Sequence, residues 1–326
     1  MKNVIICKPI FKTAIWGGKK LGEIFGIELP YEKTSEMWIV SAHKNGETAI
    51  TIPGNLVFKS LAELYKADGS KEIFGTNCMK YDEFPLLIKW IDASDKLSVQ
   101  VHPDDNYAKE NYDSFGKTEA WYIVSAKPDA KIVYGLKPGT TKDDFEKAIT
   151  ENRIEDNLKI VPVKEGDIFY IPSGMVHALL EGVVVCEVQQ SSDITFRVFD
   201  HNRVDKDGNP RELHIKEALD VINFGEFPND FTYNSSDFEN EKNVRTILSS
   251  KYFDMRIREL EGSCNTGTSK SSFKACVILK GKVTIESEFG SYTVNAGEAF
   301  ILPAAEHYVG ICNISGTATI LEATVK

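Results

Sequence analysis

Gly166-Asp-Ile-Phe-Tyr-Ile-Pro172, followed by Ser-Gly-Met-Val and then His177, is the stretch on which the fold of this chain turns. Glycine opens a turn, an acid follows it, four apolar residues make a short strand, and proline ends the strand before a histidine. The same order recurs in Gly297-Glu-Ala-Phe-Ile-Leu-Pro303, with His307 beyond it. Two copies of one strand-turn unit point to two copies of one β-architecture. Working outward, most of the sequence reads as short strands set off by Gly, Pro, Asn and Asp, and strands are expected at Ala120–Val124, Lys131–Tyr134, Asp167–Ile171, Val183–Val188, Ala275–Leu279 and Ala299–Leu302. Helical periodicity is confined to Leu56–Lys66, to Lys142–Ile149 behind the N-cap candidate Thr141, and to Lys216–Ile222. The polar, turn-rich stretches His201–Arg211 and Asn229–Glu241 separate the copies and put a boundary near residue 230.

The 326 residues amount to about two domains and can bury a core without disulfides or metals holding the fold. Hydrophobic residues at 42% and charged residues at 26% exclude wholesale disorder. Asp and Glu number 48 against 38 Lys and Arg, a net charge of −10, and the basic residues are interspersed with carboxylates. Nucleic acid and anionic membrane are therefore disfavoured as partners. Six scattered cysteines without a C-x-x-C pair read as reduced thiols. The apolar run near the start, Val4–Cys7, falls short of the roughly 7–15 residues of a signal peptide and the about 20 of a spanning helix. A cytoplasmic location is expected.

Gly166-x5-Pro172-x-Gly174-x2-His177 resembles the second signature of the cupin family, with Glu181 where that signature ends in Asn. The resemblance implies a mainly β protein of two cupin-type β-barrel (jelly-roll) domains with a few peripheral helices. Residues 1–230 would form a catalytic, metal-binding domain, and 231–326 a cupin-like domain without metal, because Ser271–Lys282 holds no histidine or carboxylate. Upstream, Gln100-Val-His102 has period two, so Gln100 and His102 share one face of a strand. Glu119 stands at the start of another strand. Taken singly, each histidine reads as a hydrogen-bonded structural residue. Together, His102, His177 and Glu119 are a familiar catalytic zinc set with open positions, and Gln100 would be a weaker fourth ligand.

Ordinary cupins place the acid a few residues after an H-x-H pair, whereas here Glu119 comes much later. Gln100-Val-His-Pro-Asp-Asp105, Gly116-Lys-Thr-Glu-Ala-Trp-Tyr122 and Ile171-Pro-Ser-Gly-Met-Val-His-Ala178 resemble the type I mannose-6-phosphate isomerases. Trp16-Gly-Gly, Ser35-Glu-Met-Trp38, Pro85-Leu-Leu-Ile-Lys89 and the run from Gln189 to Arg203 follow in the family's order. The short interval between Tyr134 and Ile160 resembles the short bacterial form.

That resemblance implies aldose–ketose isomerisation between mannose 6-phosphate and fructose 6-phosphate through a cis-enediol. It implies one Zn2+ per chain as Lewis acid, and a hexose 6-phosphate as the small-molecule partner. No flavin, nicotinamide or pyridoxal motif is evident. Arg197 matches the family's catalytic arginine, and a permanently charged guanidinium suits electrostatic stabilisation. Asp193, four residues earlier, would share its face if the segment is a strand. Lys89, Ser98, Lys117 and Arg203 are expected on the phosphate side, and Trp16 and Glu36 in the sugar pocket. His43, His201, His214 and His307 fall outside the set. Two other classes compete: a non-catalytic sugar-phosphate-binding bicupin and an iron-dependent bicupin oxygenase. The Gln-x-His block and the cationic residues favour the isomerase.

Overall fold

A computed structural model describes residues 3–53, 57–204, 207–227, 243–287, 290–305 and 308–326. The chain forms two compact units. One, here the terminal unit, comprises Met1–Ile10, Met37–Lys89 and Asn229–Lys326; the other, the central unit, comprises Phe11–Glu36 and Trp90–Pro228. The terminal unit thus draws on segments from both ends of the sequence. Strand pairing is the reason. Ile5–Lys8 pairs antiparallel with Ala299–Leu302 on one side and with Ala49–Thr51 on the other, which draws N-terminal segments into the sheet of the C-terminal copy.

The central unit places two antiparallel sheets around its core. Five strands run in the order Leu158–Pro162, Lys131–Leu136, His177–Leu179, Val99–Val101 and Phe196–Phe199. In the other, Ile168–Ile171, Glu119–Ala126 and Val183–Gln190 lie side by side in that order. Successive residues of a strand face opposite sides, and the core records it. Ile132 and Leu179 pack with Trp121, Ile123, Val183 and Val185 between the sheets. Their neighbours Val133 and Ala178 turn outward, with Val99, Val101, Phe196 and Val198, onto Phe145, Ala218 and Leu219. Those last three come from the helices Lys142–Thr150 and Ile215–Val221, which cover the outer face of the five-stranded sheet.

Both helices lie where periodicity predicts them. Thr141 opens the first with a capping box, its hydroxyl accepting from the Asp144 N–H at 3.1 Å. The helix expected over 56–66 is confined to Leu61–Lys66, because Ser60 is its N-cap and accepts from Glu63 N–H at 3.1 Å. A helix at Asp105–Tyr112, capped by Asp104, has too weak an apolar face to be read from the sequence.

The terminal unit is also β-built, in the order Val244–Ser249, Phe253–Gly267, Tyr308–Val325, Lys274–Lys280, Ala299–Leu302, Ile5–Lys8 and Ala49–Thr51. The internal repeat is real at the level of hydrogen bonds. Gly166 and Gly297 both take left-handed φ, 88° and 87°. Their N–H groups donate to Ile123 and Ile278, each at 2.9 Å. The acid that follows closes the turn in each copy: Asp167 accepts from Lys164 N–H at 2.9 Å and Glu298 from Asn295 N–H at 2.8 Å. His307 lies outside the described residues.

Candidate metal centre

Alternation carries the functional side chains inward. Val99 and Val101 face outward, so Gln100 between them faces the inter-sheet space, and Ser98 shares its parity. His177 is in register with inward Leu179, and Arg197 sits between outward Phe196 and Val198. On the opposite sheet Trp121 and Ile123 are inward, and Glu119 and Lys117 keep their phase. Register then brings the elements together: Gln100 pairs with both His177 and Arg197 on its flanking strands.

Ligating atoms of His102, Glu119 and His177 all lie within 4.8 Å of one another. The three residues are 1%, 0% and 0% exposed. His102 Nδ1 is 2.7 Å from the Ile194 carbonyl oxygen and His177 Nδ1 is 2.8 Å from that of Met175. A carbonyl only accepts, so each Nδ1 carries the proton and each Nε2 keeps its lone pair. Those lone pairs face Glu119, with His102 Nε2 3.5 Å from Oε2 and His177 Nε2 3.2 Å from Oε1. Glu119 Oε1 is buried and has no hydrogen-bond partner among the described residues. Burial, then the neighbouring Lys117 ammonium, pushes the His102 pKa well below its usual value and keeps the ring neutral. Burial alone would raise the Glu119 pKa, but the Lys117 ammonium outweighs it and holds the carboxylate ionised.

Two imidazole nitrogens and one carboxylate thus converge, a donor set that a cation satisfies and a divalent metal fits. Lys117 meets part of that need with its own ammonium. Nζ lies 2.8 Å from His102 Nε2, bonds Glu119 Oε2, and is 3.8 Å from Glu187 Oε1. Glu187 is absent from the sequence-derived set. It also accepts from Trp121 Nε1 at 2.7 Å. Its signal lay in phase, as a carboxylate two residues beyond inward Val185.

Gln100 presents Nε2 to His177 Nε2 at 3.4 Å, while its Oε1 accepts from Ser98 Oγ at 3.4 Å. Ligation through Oε1 would therefore require the amide to turn over. Arg197 extends the chain, donating Nε–H to Ser98 Oγ at 3.2 Å and Nη1–H to the Glu212 carbonyl at 2.9 Å. Arg203 stands with Asp200, Nη2 to Oδ1 at 2.6 Å. Trp16 is packed into the inter-sheet core, and Glu36 is half-buried on the strand Thr34–Val40. Lys89 belongs to the terminal unit, its Nζ 5.9 Å from the Trp38 ring centre. Asp193 does not share a strand face with Arg197: the strand begins at Phe196, and Asp193 is an exposed loop residue before it.

Residues 5–136 match the family model described as phosphomannose isomerase type I, catalytic domain. Residues 243–324 match that of the mannose-6-phosphate isomerase cupin domain. Over 323 residues the chain is 38% identical to the probable mannose-6-phosphate isomerase GmuF of Bacillus subtilis, covering 98% of this chain and 99% of that one. It is 39% identical over 306 residues to the mannose-6-phosphate isomerase of Streptococcus mutans, covering 91% and 93% of the two chains. A crystal structure of the mannose 6-phosphate isomerase from Bacillus subtilis superposes with a TM-score of 0.87 at 34% identity, over 98% of this chain and 99% of that one.

Proposed function

The chain belongs to the type I mannose-6-phosphate isomerase family, and on that footing we propose which of its residues carry the reaction. It is an isomerase of mannose 6-phosphate and fructose 6-phosphate. His102 Nε2, His177 Nε2 and a Glu119 oxygen would hold one zinc ion per chain, with Gln100 as fourth ligand once its amide turns. Bound there, zinc would supply Lewis-acid polarisation of the sugar oxygens at the reacting carbons. The observation that carries this reading is the convergence of His102 Nε2 and His177 Nε2 on the Glu119 carboxylate, all three residues buried.

The chain's own groups do the rest. Moving a proton between adjacent carbons builds negative charge on the sugar oxygens. Arg197 faces the same inter-sheet space with a guanidinium that has no carboxylate partner among the described residues, so its charge is available for that anion. Lys117 has a second acceptor in Glu187, which gives its ammonium a buried place to stay when His102 and Glu119 bind metal. Ser98 keeps Arg197 and Gln100 in line. Trp16, Glu36, Lys89, Asp193 and Arg203 are assigned to the sugar and phosphate sides, and the C-terminal repeat to a role without metal. A cytoplasmic location fits this reading, supported by six free cysteines. No helix among the described residues is long and apolar enough to cross a membrane.

Fructose 6-phosphate formation from mannose 6-phosphate, measured on chelated and zinc-replenished protein, tests the assignment. Chelation should abolish turnover and zinc restore it at one ion per chain. His102→Ala and His177→Ala should each lose metal affinity. Full metal content and activity in both variants would refute it.

A further inference from the structure

The segment following the strand Phe196–Phe199 gathers charges that the reaction scheme leaves unused. Asp200 to Arg203 form a tight turn, closed by Arg203 N–H on the Asp200 carbonyl at 3.0 Å. His201 and Asn202 both have φ 55°, the left-handed pair of a type I′ turn. That region disfavours histidine, and a contact of Nε2 with the Leu97 carbonyl at 2.9 Å holds His201 there. The chain then returns along the strand. Val204 bridges Pro210, His214 N–H donates to the Arg197 carbonyl at 2.8 Å, and Arg197 N–H meets His214 Nδ1 at 3.3 Å. This return lays Arg211 beside buried Asp200, whose Oδ1 is 3.3 Å from Arg211 Nη1.

The three arginines differ in what their donors do. Arg203 commits all three nitrogens: Nε to the Asp200 carbonyl, Nη1 to the Lys96 carbonyl, Nη2 to the Asp200 carboxylate. Among the described residues Arg211 uses only Nη1, and Arg197 uses Nε and Nη1 on neutral oxygens. With five N–H donors per guanidinium, Arg197 and Arg211 keep the larger reserve. They also repel. Burial first, then the charge of Arg211, lowers the Arg197 pKa, with Arg203 adding to this and Asp200 and Glu212 opposing it. Geometry agrees: the Glu212 carbonyl that accepts from Arg197 Nη1–H belongs to the residue that follows Arg211, so the returning loop carries Arg211 to the neighbourhood of the Arg197 guanidinium.

We propose that Arg211 is a specificity-determining residue of this isomerase, receiving the substrate phosphate while Arg197 keeps to the oxygens at the reacting carbons, with Asp200 as the positioning residue that aims it. The proposal rests on the assignment of the His102–Glu119–His177 pocket to mannose 6-phosphate. A phosphate dianion matches a guanidinium fork in charge and geometry, and Arg211 has that fork to offer. The hydrogen-bonded line from His177 through Gln100 and Ser98 to Arg197 connects the two arginines with the ligand set. The phosphate would then sit at the end of the sugar away from the reacting carbons.

Arg211→Ala in the zinc-loaded enzyme should raise KM for mannose 6-phosphate at least tenfold and leave kcat within about twofold, the pattern of lost uniform binding. Calorimetric titration with inorganic phosphate should show a parallel loss of affinity, a readout independent of turnover. Arg211→Lys, which keeps the charge without the fork, should recover part of both, and serves if the alanine variant does not fold. Unchanged KM and phosphate affinity in a folded variant would overturn the proposal, as would a fall in kcat at constant KM. If the wild type binds phosphate through Arg211 but forms no fructose 6-phosphate, the reaction assignment fails and the anion site stands. Normal isomerisation with a silent Arg211→Ala means the reverse: the anion site fails and the reaction assignment stands.

Discussion

Glu119→Gln isolates the charge on which the metal centre is built. Glu119 is the bonded partner of Lys117, and both are buried, 0% and 3% exposed. Neutralising one member of a buried pair strands the other charge, which costs about 3–5 kcal/mol. Lys117 would retain Glu187 Oε1 at 3.8 Å. At an effective dielectric of about 20, that attraction amounts to about 4 kcal/mol before desolvation, so the loss should fall near the lower end, about 3 kcal/mol. At about 2–4 °C per kcal/mol for a body of this size, the metal-free variant should melt about 6–12 °C below the wild type. Zinc at a hundredfold its Kd should stabilise the wild type by about 2.7 kcal/mol, and the variant by much less, because a neutral amide replaces the only anionic ligand. Scanning calorimetry of chelated and zinc-titrated samples reads both effects. Equal melting temperatures and equal zinc increments would refute the reasoning.

Arg197→Ala should lower kcat on the order of 100-fold, about 3 kcal/mol of transition-state stabilisation, with zinc content unchanged by elemental analysis. Arg197→Lys should rescue only part, and a raised KM at intact kcat would make Arg197 a substrate anchor instead. In the terminal unit, Glu322 pairs with Arg258 Nε at 2.6 Å and Lys274 Nζ at 3.1 Å. Burial alone would raise its pKa, but Lys274 and Arg258 hold it below the usual carboxylate range. Its stabilisation is therefore fully present above the unfolded glutamate value and is lost as pH falls through the lower folded value. Denaturant titrations from pH 7 to 3 should show a flatter acid limb in Glu322→Gln, and parallel limbs would contradict this. Gly17→Ala should destabilise the fold by about 1–3 kcal/mol in the same titrations, since a Cβ there would stand 2.6 Å from Ser35 N.

Much of the centre was legible because alternation along a strand is a local property. Ser98, Gln100 and His102 share a parity that any extended chain enforces, and Glu119 and His177 stand in phase with apolar neighbours that must face a core. The same argument fails for Asp193, since the chain before Phe196 is not extended and period two has no meaning there. Glu187 was equally readable by phase, yet one acid in a run of valines carries no motif. Its role is visible only with Lys117 in place between it and Glu119.

The repeat, the turn chemistry of Gly166-Asp167 and Gly297-Glu298, the Thr141 cap and the inward set of ligands are all written in the sequence. These depend on backbone geometry and on hydrogen bonds spanning a few residues. Folding in three dimensions was needed to establish that Ile5–Lys8 pairs with Ala299–Leu302, that Gln100 is flanked by His177 and Arg197, and that a returning loop brings Arg211 to Asp200. Backbone N–H and C=O groups are the same in every strand. Which strand meets which is therefore set by the burial of whole faces across hundreds of residues, and no local stretch of sequence records it.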